Sequence, residues 1–296
     1  MRDSNSQFPI PNSKLCSWNF GLGAWNLNLS LWFLVLVLLS SCSYHLKTEE
    51  EAERELMLRN KVKSITELTT PVRVSLDAEE YISKETIFDQ NGFKRKVVNH
   101  NADGSIESTV TCGYDKNNNL ILTQGANSDK TSFKETRSYD NHNNRIDLYH
   151  YLSDGSYKYR NRASYDSKGR MIELDWYWPT GLSAKRFYVY DGENMKEESE
   201  YSPQGQLLYK WKYKQDANNN LIEAVQYKPD STILSKKVFF YSNVNQLIKR
   251  IFYSGESIQN SQTYEYNKNG LMSAKNDFNP FGKVSVKYRY QYEYFQ

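Results

Sequence analysis

The chain has 296 residues, with 38 Lys plus Arg set against 35 Asp plus Glu, for a formal net charge of +3. So even a balance excludes a polyelectrolyte, and nucleic acid is not an expected partner. Tyrosine reaches 24 residues while aliphatic content is modest, which points to cross-strand aromatic packing rather than a thick aliphatic core.

In chain order, the first feature is an apolar run from Leu31 to Leu39, followed by Ser40-Ser41-Cys42. It is too short for a comfortable membrane span and reads as an export signal. The ending Leu39-Ser40-Ser41-Cys42 resembles the bacterial lipobox. That resemblance implies cleavage before Cys42, a lipid on its thiol, and a membrane as partner through this N-terminal anchor. Ser43, in place of an Asp, implies the outer membrane. Lys47-Thr48-Glu49-Glu50-Glu51 is similar to the surface-export signals of Bacteroidota lipoproteins, which implies exposure at the cell surface. The same letters also form a capping box, Thr48 with Glu51, opening a short helix to about Asn60. Residues 1–41 are thus expected to be a signal peptide, 42–60 an anchor-proximal linker with a short helix, and 61–296 one repeat domain. Cys16 goes with the leader and Cys42 with the lipid, so Cys112 has no disulfide partner and reads as a small buried hydrophobe.

From Phe88 onward a short phrase recurs about every twenty-five residues: an aromatic, an Asp or Asn, a polar turn, then an apolar residue. Its anchors are Phe88, Tyr114, Tyr139, Tyr165, Tyr190, Tyr213, Tyr241, Tyr266 and Tyr292. A weaker series lies between them: Tyr151, Tyr177, Tyr201, Tyr227, Tyr253 and Phe278. Turns such as Gln90-Asn91-Gly92, Ser153-Asp154-Gly155 and Asn218-Asn219-Asn220 supply residues that tolerate positive φ. Between turns the pattern alternates with period two. Val284, Val286, Tyr288, Tyr290, Tyr292 and Tyr294 share one face, opposite Lys283, Lys287, Arg289 and Glu293. The expected fold is all-β, an elongated antiparallel meander of tandem β-hairpins, as a twisted single sheet or an open shell.

The phrase Tyr165-Asp166-x-x-Gly169-Arg170-Met171, with partial copies at Tyr114-Asp115 and Tyr266-Asn267, resembles the YD repeat of Rhs-type proteins. The resemblance covers about residues 88–296 and implies hairpins stacked into a long coiled sheet. The chain is too short to enclose a toxin passenger.

No catalytic signature is present. None of the four histidines pairs with a Cys or carboxylate at metal-site spacing. Asp115-x-Asn117-x-Asn119 and Asp216-x-Asn218-x-Asn220 imitate half a calcium loop but lack its Gly and Glu. No cofactor or metal is expected. The expected function is non-enzymatic: a cell-envelope, outer-membrane lipoprotein offering its repeat sheet as a binding or scaffolding surface for glycan or envelope protein. The alternative is an immunity-type or Rhs-associated accessory protein. The densest aromatic cluster, Trp176-Tyr177-Trp178, together with Trp211, is the expected ligand platform; Cys42 is the expected lipidation site.

Overall fold

The computed structural model describes residues 49–72 and 79–296. Cys42, the apolar run before it and the Thr48 cap lie outside the described residues. Helix α1 spans Glu49–Arg59. It stops where the backbone N–H groups of Asn60 and Lys61 bond back to Leu56 and Leu58, with Lys61 at φ 53°.

Eighteen strands follow among the described residues. They are β1 (Val62–Pro71), β2 (Tyr81–Phe88), β3 (Lys94–His100), β4 (Ile106–Tyr114), β5 (Leu120–Asn127) and β6 (Ser132–Tyr139). Next come β7 (Arg145–Leu152), β8 (Tyr157–Tyr165), β9 (Met171–Trp178), β10 (Gly181–Asp191), β11 (Asn194–Tyr201) and β12 (Leu207–Gln215). The last are β13 (Leu221–Tyr227), β14 (Ile233–Tyr241), β15 (Leu247–Ser254), β16 (Ser257–Tyr266), β17 (Met272–Phe278) and β18 (Val284–Tyr294).

Each strand pairs antiparallel with the next. β18 then returns to β1, from Val62 opposite Tyr294 to Pro71 opposite Val286. The sheet is a closed 18-stranded barrel. This corrects the expected open meander or shell, and with it the YD-repeat, Rhs-type assignment. The reason is long-range. The hairpin signals fix only neighbouring pairs, whereas closure is made by β1, which lacks the Tyr–Asp phrase and joins the two ends of the array.

Alternation sorts the side chains into two walls. In β8, Tyr159, Asn161 and Ala163 are buried while Arg162 and Ser164 are exposed. In β18, Tyr288 and Tyr290 are buried between exposed Lys287, Arg289 and Gln291. Carried around the ring by register, the first set lines the lumen and the second faces outward. An 18-stranded barrel is wide enough to hold a lumen.

The repeat phrase builds one rim. At the ends of β4, β6, β8, β10, β14, β16 and β18, the tyrosines 114, 139, 165, 190, 241, 266 and 292 each donate a hydroxyl to the first carbonyl of the preceding strand, at 2.7–3.1 Å. Each such bond is worth about 1 kcal/mol. In β12 the position is filled by Gln215, whose amide reaches the Met195 carbonyl at 2.8 Å. Tyr213, expected as the anchor there, instead donates to Glu198 at 3.0 Å. The next residue caps the turn. Asp140 Oδ1 accepts from the backbone N–H of His142 and Asn144, both at 2.8 Å, and Asp115 and Asp216 do the same. Their half-calcium-loop letters are therefore hairpin turns.

Helix α1 packs inside this rim. Met57 joins Val62, Phe88 and Leu271 in a fully buried cluster flanked by Leu56, Ile65 and Tyr292. Glu53 pairs with Lys94 at 2.7 Å. Phe88, the one anchor without a hydroxyl, stands where the helix covers the rim.

Two predictions test this packing. A Cβ on Gly125 would stand 2.0 Å from the Phe133 ring. Gly125→Ala should therefore cost about 1–3 kcal/mol in chemical denaturation, with partial recovery in Gly125→Ala/Phe133→Leu; an unchanged midpoint would refute the contact. Burial pushes the Asp140 carboxyl up, but the bonds from Asn144 and His142 outweigh it and hold its pKa below the ordinary value. A depressed acid stabilises above its unfolded pKa and loses that contribution as pH falls below about 4. Asp140→Asn keeps an acceptor in the turn, so stability at pH 7 should change little while the acid-unfolding limb becomes shallower.

Candidate functional site

The inner wall from β6 to β14 carries the densest set of interacting polar and aromatic side chains. It begins at Glu135, which accepts from Arg137 at 2.9 Å and from the Tyr159 hydroxyl at 3.1 Å, and meets His150 Nδ1 at 3.1 Å. His150 lies sandwiched between Phe133 and Tyr159, with ring centroids at 5.4 and 4.7 Å. Burial alone would raise the Glu135 pKa; the His150 bond and the Arg137 charge outweigh it and lower it.

Tyr159 continues the array to Trp176 at 5.7 Å and to Trp178 at 6.1 Å, the latter edge-on. Arg186 follows, over the Trp176 ring at 5.9 Å. It makes ion pairs with Glu198 at 3.1 Å and Glu200 at 2.6 Å and bonds the Tyr209 hydroxyl at 2.9 Å. Burial lifts the Glu198 pKa despite this cation, whereas the acids around Arg186 keep its guanidinium charged. Trp211 stacks on Tyr213 at 6.3 Å and carries Lys237 over its face at 4.9 Å.

The expected platform is thus divided. Trp176 and Trp178 share the inner wall with Trp211, three strands away. Tyr177 points outward, its hydroxyl donating to Asp175 at 3.1 Å and Arg160 at 5.9 Å from its ring. Period-two alternation separates a Trp-Tyr-Trp triplet in this way. The charges Glu135, Arg186 and Glu198 on this wall are not among the residues the sequence singles out. Glu135 and Arg186 stand in phase with Tyr139 and Tyr188 rather than opposite them, whereas Glu198 has no such signal, since Tyr201 in its strand is out of phase.

The outer wall is charged along its length. Arg160 pairs with Asp147 at 2.6 Å, Lys185 with Glu173 at 2.7 Å, and Lys210 with Glu197 at 2.7 Å. Lys236 sits over Tyr253 at 4.5 Å and Lys212 over Tyr227 at 5.6 Å. Apolar residues such as Phe187, Val189 and Phe240 are scattered among them.

No family model and no curated protein matches the chain. Among solved structures, the chain is similar to a porin-like protein from Bacteroides uniformis at 11% identity, covering 78% of this chain and 98% of that one with a TM-score of 0.42. A porin-like protein from Bacteroides vulgatus shows 10% identity, coverage of 79% and 99%, and a TM-score of 0.30. A TcdB2-TccC3-TEV structure shows 12% identity over 75% of this chain and 14% of that one, with a TM-score of 0.28. The strand pairing itself carries the fold assignment. Among the described residues no group of three or more His, Cys, Asp or Glu is placed to hold a metal, and no catalytic constellation is assembled.

Arg186 compensates two acids at once. Arg186→Met should destabilise the barrel by about 3–5 kcal/mol in urea unfolding, because Glu198 and Glu200 would be left buried against no cation. Arg186→Met/Glu198→Gln should recover part of that loss; equal destabilisation by both variants would remove Arg186 from this role.

Proposed function

We propose that the protein is a cell-envelope lipoprotein of the outer membrane whose barrel stands in water, held to the bilayer by lipid on Cys42, and whose lumen wall binds a polar solute. The observation that carries this reading is the charged outer wall. A barrel that crosses a bilayer presents a continuous apolar band, and each Lys or Arg at its midplane costs about 2–4 kcal/mol. Here Arg160, Lys185, Lys210 and their acidic partners occupy mid-strand positions on that face. A lipid tether reconciles such a surface with a membrane address.

The tether also orients the barrel. Residues 43–48 separate Cys42 from α1, a reach of at most about 24 Å. Helix α1 lies inside the tyrosine rim, so that mouth faces the membrane and the opposite mouth faces away. Within the lumen, Trp176, Trp178 and Trp211 are the proposed contact residues, since aromatic faces beside fixed charges suit a polar ligand with apolar surfaces. Tyr177, on the outer wall, is not retained in this set.

The test is fractionation of the Cys42→Ala chain exported behind a cleavable leader. It should appear in the soluble periplasmic fraction and remain monodisperse without detergent. Retention in the carbonate-washed membrane pellet, with detergent needed for extraction, would show that the barrel itself crosses the bilayer.

A further inference from the structure

In the inner wall of β8 and β9, Asn161 and Trp176 stand directly opposite each other in register. The carbonyl oxygen of Asn161 and the indole N–H of Trp176 are both buried and both lack a hydrogen-bond partner. Asn161 itself is only 7% exposed. One unpartnered acceptor and one unpartnered donor on residues paired across two strands are uncommon in a folded protein, where buried polar groups are almost always satisfied. Aromatic rings stand beside the pair on the same wall. The Tyr159 and Trp178 rings meet edge-on at 6.1 Å, and Trp178 is 42% exposed at the end of its strand. The nearby charges are already engaged with one another: Arg186 with Glu198 and Glu200, and Arg137 with Glu135.

We propose that Asn161 and Trp176 form a subsite for the hydroxyl of a neutral polyol, which accepts from the Trp176 indole and donates to the Asn161 carbonyl while its carbon skeleton lies against Tyr159 and Trp178. This rests on the lumen-binding reading above and names the ligand class. A hydroxyl satisfies both orphans through a single oxygen. A carboxylate cannot donate to Asn161. An ammonium cannot accept from the indole. Ring faces beside a donor–acceptor pair are the usual build of a site for a ligand with both polar edges and apolar faces.

The experiment is calorimetric titration of the whole barrel with methyl β-D-glucopyranoside and with myo-inositol, using glucuronate as the charged comparator. The neutral probes should bind the native protein. Trp176→Phe, which keeps a ring and removes the N–H, and Asn161→Leu should each weaken binding at least about 10-fold. Without ligand, both variants should melt at the native temperature or above, because each removes an unsatisfied group. Should Trp176→Phe fail to fold, Asn161→Leu carries the same comparison. Failure of both neutral probes to bind, or equal affinity in native and variant barrels, overturns the subsite and leaves water as the partner of the pair. Glucuronate binding that falls on Lys237→Met, without neutral-polyol binding, overturns the subsite while the lumen-binding reading stands.

Discussion

The pairing of β1 with both β18 and β2 is the contact on which the rest of the architecture depends. Successive strands of a meander alternate in direction. β2 and β18 are separated by an even number of steps and therefore run parallel, so they cannot close as an antiparallel pair. β1 runs opposite to both and fits between them, turning an odd array into an even one. Without it, two long edges would present unpaired backbone groups to water and to other chains. Helix α1 reinforces the seam, since Met57 packs on Val62 of β1, Phe88 of β2 and the Leu271 turn.

Closure gives the two sheet faces different physical roles. Concave curvature crowds the inner side chains together, which lets tyrosines, arginines and acids pack in register and bury one another. Lys275 illustrates the cost and its offset: burial lowers its pKa to about 8, yet its ammonium sits 3.6 Å from the centre of the Tyr288 ring. The convex face spreads its side chains apart, and its cross-strand ion pairs contribute little individually. The barrel therefore has its densest packing inside and charges on both walls.

Much of the local structure was legible. The Tyr–Asp phrase marked hairpin ends because a tyrosine hydroxyl reaches the neighbouring strand's first carbonyl and an Asp oxygen caps the turn that follows. Period-two alternation placed Tyr288 and Tyr290 opposite Lys287 and Arg289 correctly. The repeat phrase failed at Tyr213 because the rim position in β12 is held by Gln215, whose amide does the same job without an aromatic ring. The site was half legible. Trp176, Trp178 and Trp211 stand on one wall, but the ionisable groups that share it, Glu135, His150 and Arg186, were hidden, since a charged residue inside a strand reads as solvent-facing until the wall it belongs to is known.

What the sequence determined alone was the run of antiparallel strands and turns, the two faces of strands such as β12 and β18, and the short helix that precedes them, because turn chemistry and side-chain alternation act over a few residues. What only the tertiary structure decided was that the ribbon closes, which face became the lumen, and that Asn161 and Trp176 meet there unsatisfied. Closure and the choice of lumen face depend on contacts between residues more than two hundred positions apart and on curvature summed over the whole ring; Asn161 and Trp176 pair locally, but only closure turns their wall into the lumen.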